Sequence, residues 1–190
     1  MGNISEIKDA LKSLSRGNIL QKNIIILHCT SNYPASDHSV HMNSLETIKK
    51  TFKTEVGYSD HTIGNIASIL AIGKNAKFIE KHFTLSKKLK GPDHKASLEP
   101  IELNNFITDI RKADKMMGSY KKIARKEELN VKKLARKSIV AKKIIAKGEK
   151  FTLDNLDIKR PETGLKPKMF FSILNKKSKK KYLKDQLIKY

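Results

Sequence analysis

Apolar and polar residues follow two rhythms in turn through the first part of the chain. Ile4, Ile7, Leu11 and Leu14 recur at helical spacing and Arg16-Gly17-Asn18 supplies a stop, so a helix is predicted over residues 4–15. Ile24-Ile25-Ile26-Leu27, within 23–30, is a short continuous apolar run, the mark of a strand covered on both faces in a parallel sheet. The rhythm then repeats as a polar loop (31–39), a helix (43–52), a strand (55–58), a helix (64–73), a strand (77–80) and a polar loop (87–97). A long amphipathic helix closes the series over 100–117, with Leu103, Phe106, Ile107, Ile110 and Met116 on its apolar side. Helices alternating with buried strands predict an α/β fold with a parallel sheet, as in βα barrels.

The texture changes after residue 117. Residues 118–133 are polar and lysine-rich and are expected to form a linker, extended or partly helical. Short apolar pieces follow: Ser138-Ile139-Val140-Ala141, Phe151-Thr152, Leu156-Asp157-Ile158-Lys159 and Leu187-Ile188, with a turn at Lys147-Gly148-Glu149. They predict a small, mainly β domain over 134–190. A closed (β/α)8 barrel needs about 250 residues, so a barrel contained in 190 residues is partial.

The net charge is +21, from 40 Lys and Arg against 19 Asp and Glu. Such a balance would ordinarily point to nucleic acid through counterion release. Yet only Arg16, Arg111, Arg125, Arg136 and Arg160 are arginines, and base readout and stacking favour arginine and aromatic groups. A solvated lysine-rich surface is the plainer reading, with the run Asn175-Lys176-Lys177-Ser178-Lys179-Lys180-Lys181 as its exception. No apolar stretch approaches the roughly 18 residues of a membrane span, and Met1 to Glu6 lack the order of a secretion signal. The lone Cys29 excludes an internal disulfide and reads as a small buried side chain. A soluble, cytoplasmic protein is expected.

In βα barrels chemistry gathers at the C-terminal ends of strands. That rule selects His28-Cys29-Thr30-Ser31-Asn32-Tyr33-Pro34, then Gly57-Tyr58-Ser59-Asp60-His61-Thr62, then Glu80-Lys81-His82-Phe83. His61 and His82 lie one βα unit apart and would be neighbours on one rim, as ligands of a catalytic divalent metal or as hydrogen-bonded structural histidines. Ser59 and Thr62 could hold a phosphate at the following helix start or only cap that helix. Asp93, in Gly91-Pro92-Asp93-His94-Lys95, could accept from a sugar hydroxyl or fix a turn.

In order and spacing, His28-Cys29-Thr30 with Tyr33-Pro34, Gly57 to Thr62, Glu80 to Thr84 and Gly91 to Ser97 resemble the sialic acid synthase family. Arg136-Lys137-Ser138, Lys147-Gly148-Glu149 and Lys159-Arg160-Pro161 with Gly164 resemble its antifreeze-like (SAF) domain. The resemblance implies the last three or so βα units of a TIM (β/α)8 barrel followed by a small β-clip SAF domain. It implies condensation of phosphoenolpyruvate with an N-acetylmannosamine-type sugar to a nine-carbon 2-keto acid, releasing phosphate. It further implies His61 and His82 as ligands of a divalent metal, Mn2+ foremost with Mg2+ or Co2+ as alternatives. Ser59 and Ser31 would meet the phosphate, Tyr33 and Asp93 the sugar, and Arg160 the barrel of a partner in a domain-swapped homodimer; as the alternative, Arg160 is a surface ion-pair residue. Met1 would fall just after the fifth strand of the family's barrel. Three units cannot close a barrel, so this chain by itself is expected to be inactive, with an N-terminal half-barrel in trans as one remedy. The competing reading is a non-catalytic SAF module that binds carbohydrate or a partner protein.

Overall fold

A computed structural model describes residues 1–189, which divide into two compact units at Ser119/Tyr120.

The first unit runs α1 (Ile4–Arg16), β1 (Ile25–Cys29), α2 (Ser44–Phe52), β2 (Glu55–Asp60), α3 (Ile66–Gly73), β3 (Phe78–Lys81) and α4 (Pro100–Met117). Local chemistry sets the helix ends. Asn3 caps α1 by accepting from the N–H groups of Ser5 and Glu6 while Glu6 returns a bond to the Asn3 N–H, a reciprocal capping box. Glu99 and Glu102 do the same for α4, whose first residue, Pro100, has no N–H to satisfy.

The three strands form one parallel sheet in the order β1-β2-β3, with Cys29 opposite Ser59 and Ser59 opposite Glu80. Alternation assigns the faces. Val56 and Tyr58 of β2 are fully buried with Leu45 and Ile48 of α2 and Ala67 and Ala71 of α3. The opposite face carries Leu27, Gly57 and Phe78 in one row and Cys29, Ser59 and Glu80 in the next. Among the described residues of this unit no helix covers that face, and Leu27 and Phe78 remain 40% and 50% exposed. Gly57 has no room for a side chain: a Cβ there would lie 2.8 Å from the Phe78 carbonyl oxygen and 2.9 Å from its Cβ.

The second unit holds a short helix, α5 (Leu129–Ala135), where the sequence reads as linker. An antiparallel pair, β4 (Ser138–Ala141) and β5 (Leu156–Lys159), follows, and then one turn of helix, α6 (Phe170–Ile173). Its core is Ile139, Ala141, Ile145, Phe151, Leu156, Ile173, Tyr182 and Ile188. Two buried polar groups organise its loops. The Ser138 hydroxyl donates to the Pro161 carbonyl at 2.7 Å and accepts from the Gly164 N–H at 2.9 Å. The Asn155 side chain donates to the Lys150 carbonyl and the Glu149 carboxylate and accepts from the Thr152 N–H.

Candidate active site

β2 ends at Asp60 and β3 at Lys81, so His61 and His82 are the next residue on each strand and continue the open face of Ser59 and Glu80. Their ring centres stand 5.4 Å apart. Tyr33, from the loop after β1, lies against both, 5.0 Å from His61 edge-on and 4.4 Å from His82. The Ala35 N–H donates to the His61 carbonyl at 2.8 Å and ties that loop to the end of β2. The Tyr33 hydroxyl meets the Ser97 hydroxyl at 3.4 Å, and Ser97 donates to the Asp93 carbonyl at 2.8 Å. The exposed Asp93 carboxylate lies 3.9 Å from His82 Nδ1. Four of the residues singled out in the sequence, Tyr33, His61, His82 and Asp93, are therefore one cluster.

Burial, first of all, raises the Tyr33 hydroxyl above its ordinary pKa; the bond to Ser97 opposes this, and the Asp93 and Asp60 carboxylates add to it. Tyr33 stays neutral at working pH and can both donate and accept.

The serines sit differently. Ser59, nearly buried, donates to a Glu80 carboxylate oxygen at 2.6 Å, and Ser31 is exposed in the loop after β1. Neither Ser59 nor Thr62 caps α3, which starts after Asn65; both N–H and hydroxyl of Thr62 go to Asp60. Cys29 is half-buried on the open face, not enclosed in a core, and its Sγ lies 3.7 Å from each ring nitrogen of His61. Arg160 is exposed directly after β5, at the start of the loop that Ser138 fastens.

Sequence reasoning assigned no role to Glu80 or to Asp60 and Lys81. Strand alternation carried a signal for Glu80, two residues before His82 on the same face. The Asp60–Lys81 pair, 3.1 Å apart, gave none, because nothing in one sequence distinguishes buried from solvated charge.

Among the described residues no three His, Cys, Asp or Glu side chains converge as a ready-made metal site. The two rings are nevertheless near enough for one ion to lie between them, and neutral imidazoles are ordinary ligands of divalent transition metals.

Residues 1–122 match the NeuB family, and residues 136–190 match the SAF domain. The chain belongs to the NeuB family. It is 45% identical to the N,N'-diacetyllegionaminic acid synthase of Campylobacter jejuni over 190 residues, all of this chain and 57% of that protein. It is 39% identical to the Legionella pneumophila protein of the same name over 176 residues, 92% of this chain and 49% of the relative. To the human N-acetylneuraminate-9-phosphate synthase it is 36% identical over 160 residues, 83% of this chain and 45% of the relative. The chain thus spans about half the length of the curated relatives it matches.

Among solved structures, a spore coat polysaccharide biosynthesis protein E from Chromobacterium violaceum shares the fold. Its TM-score is 0.72 at 23% identity, over 98% of this chain and 56% of that one. The N-acetylneuraminic acid (sialic acid) synthetase of Leptospira borgpetersenii aligns with a TM-score of 0.61 at 30% identity, over 69% of this chain and 45% of that one. The sequence resemblance to sialic acid synthases and the mixed α/β reading with a SAF domain therefore both hold for this NeuB-family chain. Among the described residues no helix is long and apolar enough to cross a membrane.

Proposed function

We propose that this NeuB-family chain supplies the metal- and sugar-facing rim of a barrel that condenses phosphoenolpyruvate with an N-acetylmannosamine-type sugar. In that reaction C3 of phosphoenolpyruvate attacks the aldehyde carbon of the open-chain sugar, water adds at C2, and phosphate leaves to give a nine-carbon 2-keto acid. The observation that carries this reading is the pairing of His61 and His82 at adjacent strand ends, 5.4 Å apart with the Tyr33 ring against both.

His61 and His82 would hold a divalent ion, Mn2+ foremost, whose contribution when bound is to polarise the aldehyde oxygen. Asp93, exposed beside His82, would accept from sugar hydroxyls, and Tyr33 would line the same wall as a neutral donor or acceptor. Ser59 can give its proton to the phosphate of phosphoenolpyruvate only by releasing Glu80. Ser31, exposed, is free to turn to the same group. Arg160, an always-charged fork on an anchored loop, would reach the acetamido end of the sugar in the barrel of a second copy. These residues furnish one side of a substrate cavity, so turnover belongs to a complete barrel. The 45% identity to a legionaminic acid synthase, against 36% to the human sialic acid phosphate synthase, favours a diacetamido-trideoxy sugar over N-acetylmannosamine or its 6-phosphate.

The test joins this chain to the barrel strands of the Campylobacter relative that it does not itself span and measures phosphate release. Release is expected only with both substrates present, fastest with the diacetamido sugar, and lost in His61→Ala. A folded hybrid that releases no phosphate with any of the three sugars, or one that keeps its rate in His61→Ala, would overturn the proposal.

A further inference from the structure

Behind the imidazoles, on the helix-covered face of the sheet, Asp60 and Lys81 form an ion pair at 3.1 Å, with side chains 0% and 3% exposed. Asp60 Oδ1 accepts from the Thr62 N–H at 2.8 Å and from the Thr62 hydroxyl at 2.7 Å. Its Oδ2 accepts from Ser68 of α3 at 2.6 Å. The Lys81 ammonium also donates to the Thr62 carbonyl and lies 5.9 Å from the ring centre of Phe106, the buried residue of α4.

A pair this dry is a poor source of net stability. Desolvation of both ions offsets most of their attraction, and apolar residues of equal volume often serve a core as well. Its location offers a better account. Asp60 and Lys81 face each other in the last rung of the β2–β3 ladder, and each immediately precedes one of the strand-end histidines. Beyond that rung the two strands no longer pair: the Ala35 N–H holds the His61 carbonyl and the Leu98 N–H the His82 carbonyl, while the side chains of Asp60 and Lys81 tie the two chain ends to each other. Asp60 binds the residue following His61, Lys81 binds the same residue's carbonyl, and Ser68 of α3 backs Asp60 as Phe106 of α4 backs Lys81.

We infer that Asp60 and Lys81 are positioning residues, whose buried ion pair holds the ends of β2 and β3 so that the His61 and His82 rings present to a single ligand. Neither residue touches that ligand. The inference rests on the metal reading above only for what the rings hold; the pairing of the rings is a property of the chain itself.

The experiment is proton NMR of the chain without metal, reading the contacts among the Tyr33, His61 and His82 rings, alongside Mn2+ titration of the same samples well below their unfolding temperatures. Lys81→Met leaves Asp60 as a lone buried charge and can cost the fold, so the neutral double variant Asp60→Asn/Lys81→Met is measured beside it. In the double variant the Tyr33–His61–His82 contacts are expected to weaken while the Phe151–Tyr182 contact of the SAF domain persists. Ser68→Ala, which keeps the ion pair, should retain both sets. Mn2+ affinity should fall by about tenfold or more in the double variant, as for other groups that orient metal ligands. Ring contacts that persist in a folded double variant overturn the inference, as does a lowered unfolding temperature with unchanged Mn2+ affinity. If the unaltered chain takes up no Mn2+ but its ring contacts respond to the double substitution, the metal reading fails and the positioning role stands.

Discussion

The strand-end histidines show what a single position can reveal. His61 and His82 were legible as a pair because strand period and βα spacing together place them on one rim, and Tyr33 and Asp93 came with them through their motifs. Asp60 and Lys81 were not legible, since their charges read as solvent-exposed until α3 and α4 cover them. A neighbouring side chain makes the opposite case. Tyr58 is fully buried and, among the described residues, its hydroxyl has no hydrogen-bond partner; burial, with the Asp60 carboxylate and Cys29 adding, holds its pKa far above the ordinary value. An unpaired buried hydroxyl costs more than a missing one. Tyr58→Phe is therefore expected to leave stability unchanged or raise it by about 1 kcal/mol, read by urea denaturation; a loss of that size would mean the hydroxyl has a partner. Gly57→Ala should do the reverse. The added methyl meets the Phe78 backbone of the neighbouring strand, and overpacking of that kind costs about 1–3 kcal/mol.

Elements with strong periodicity or a clear stop were the readable ones. α4 spans the residues its apolar spacing predicts, and α1 follows its apolar spacing to the stop at Gly17. α5 was legible only as a partly helical linker, because Leu129, Val131 and Leu134 stay exposed on it and no buried stripe marks its bounds. The turn at Lys147-Gly148-Glu149 was visible from its glycine, but not the way it is held. The Glu149 carboxylate accepts from the Ala146 N–H at 2.8 Å and the Asn155 amide at 3.1 Å. The Ala146 bond first, and then Asn155, hold its pKa below the usual carboxylate range. A lowered folded-state pKa means that this contribution is complete above the ordinary Glu value of about 4.3 and fades as pH falls through the folded value. Glu149→Gln should accordingly flatten the acid limb of the SAF domain's unfolding curve, measured by circular dichroism between neutral pH and pH 3. An acid limb identical to that of the unaltered chain would remove Glu149 from that role.

At the scale of the whole molecule, the order of helices and strands was enough to predict a barrel-type sheet, and the change in texture after residue 117 a second domain. What the open face of the sheet meets could not be read, because the strands that would line the rest of a barrel are not among these residues. Leu27 and Phe78 on that face, with Phe83 and Leu85 just beyond β3, form exposed apolar surface, a feature that marks a contact site or an aggregation liability. Joining the chain to the remaining strands of its Campylobacter relative should lower its binding of a hydrophobic fluorescent dye and its light scattering, whereas equal dye binding would place the exposed surface elsewhere. The functional reading depends above all on His61 and His82 acting together on one ion, and Mn2+ titration of the chain followed by electron paramagnetic resonance decides that. One ion bound per chain, with uptake lost in either His61→Ala or His82→Ala, is predicted; uptake that survives both substitutions would contradict it.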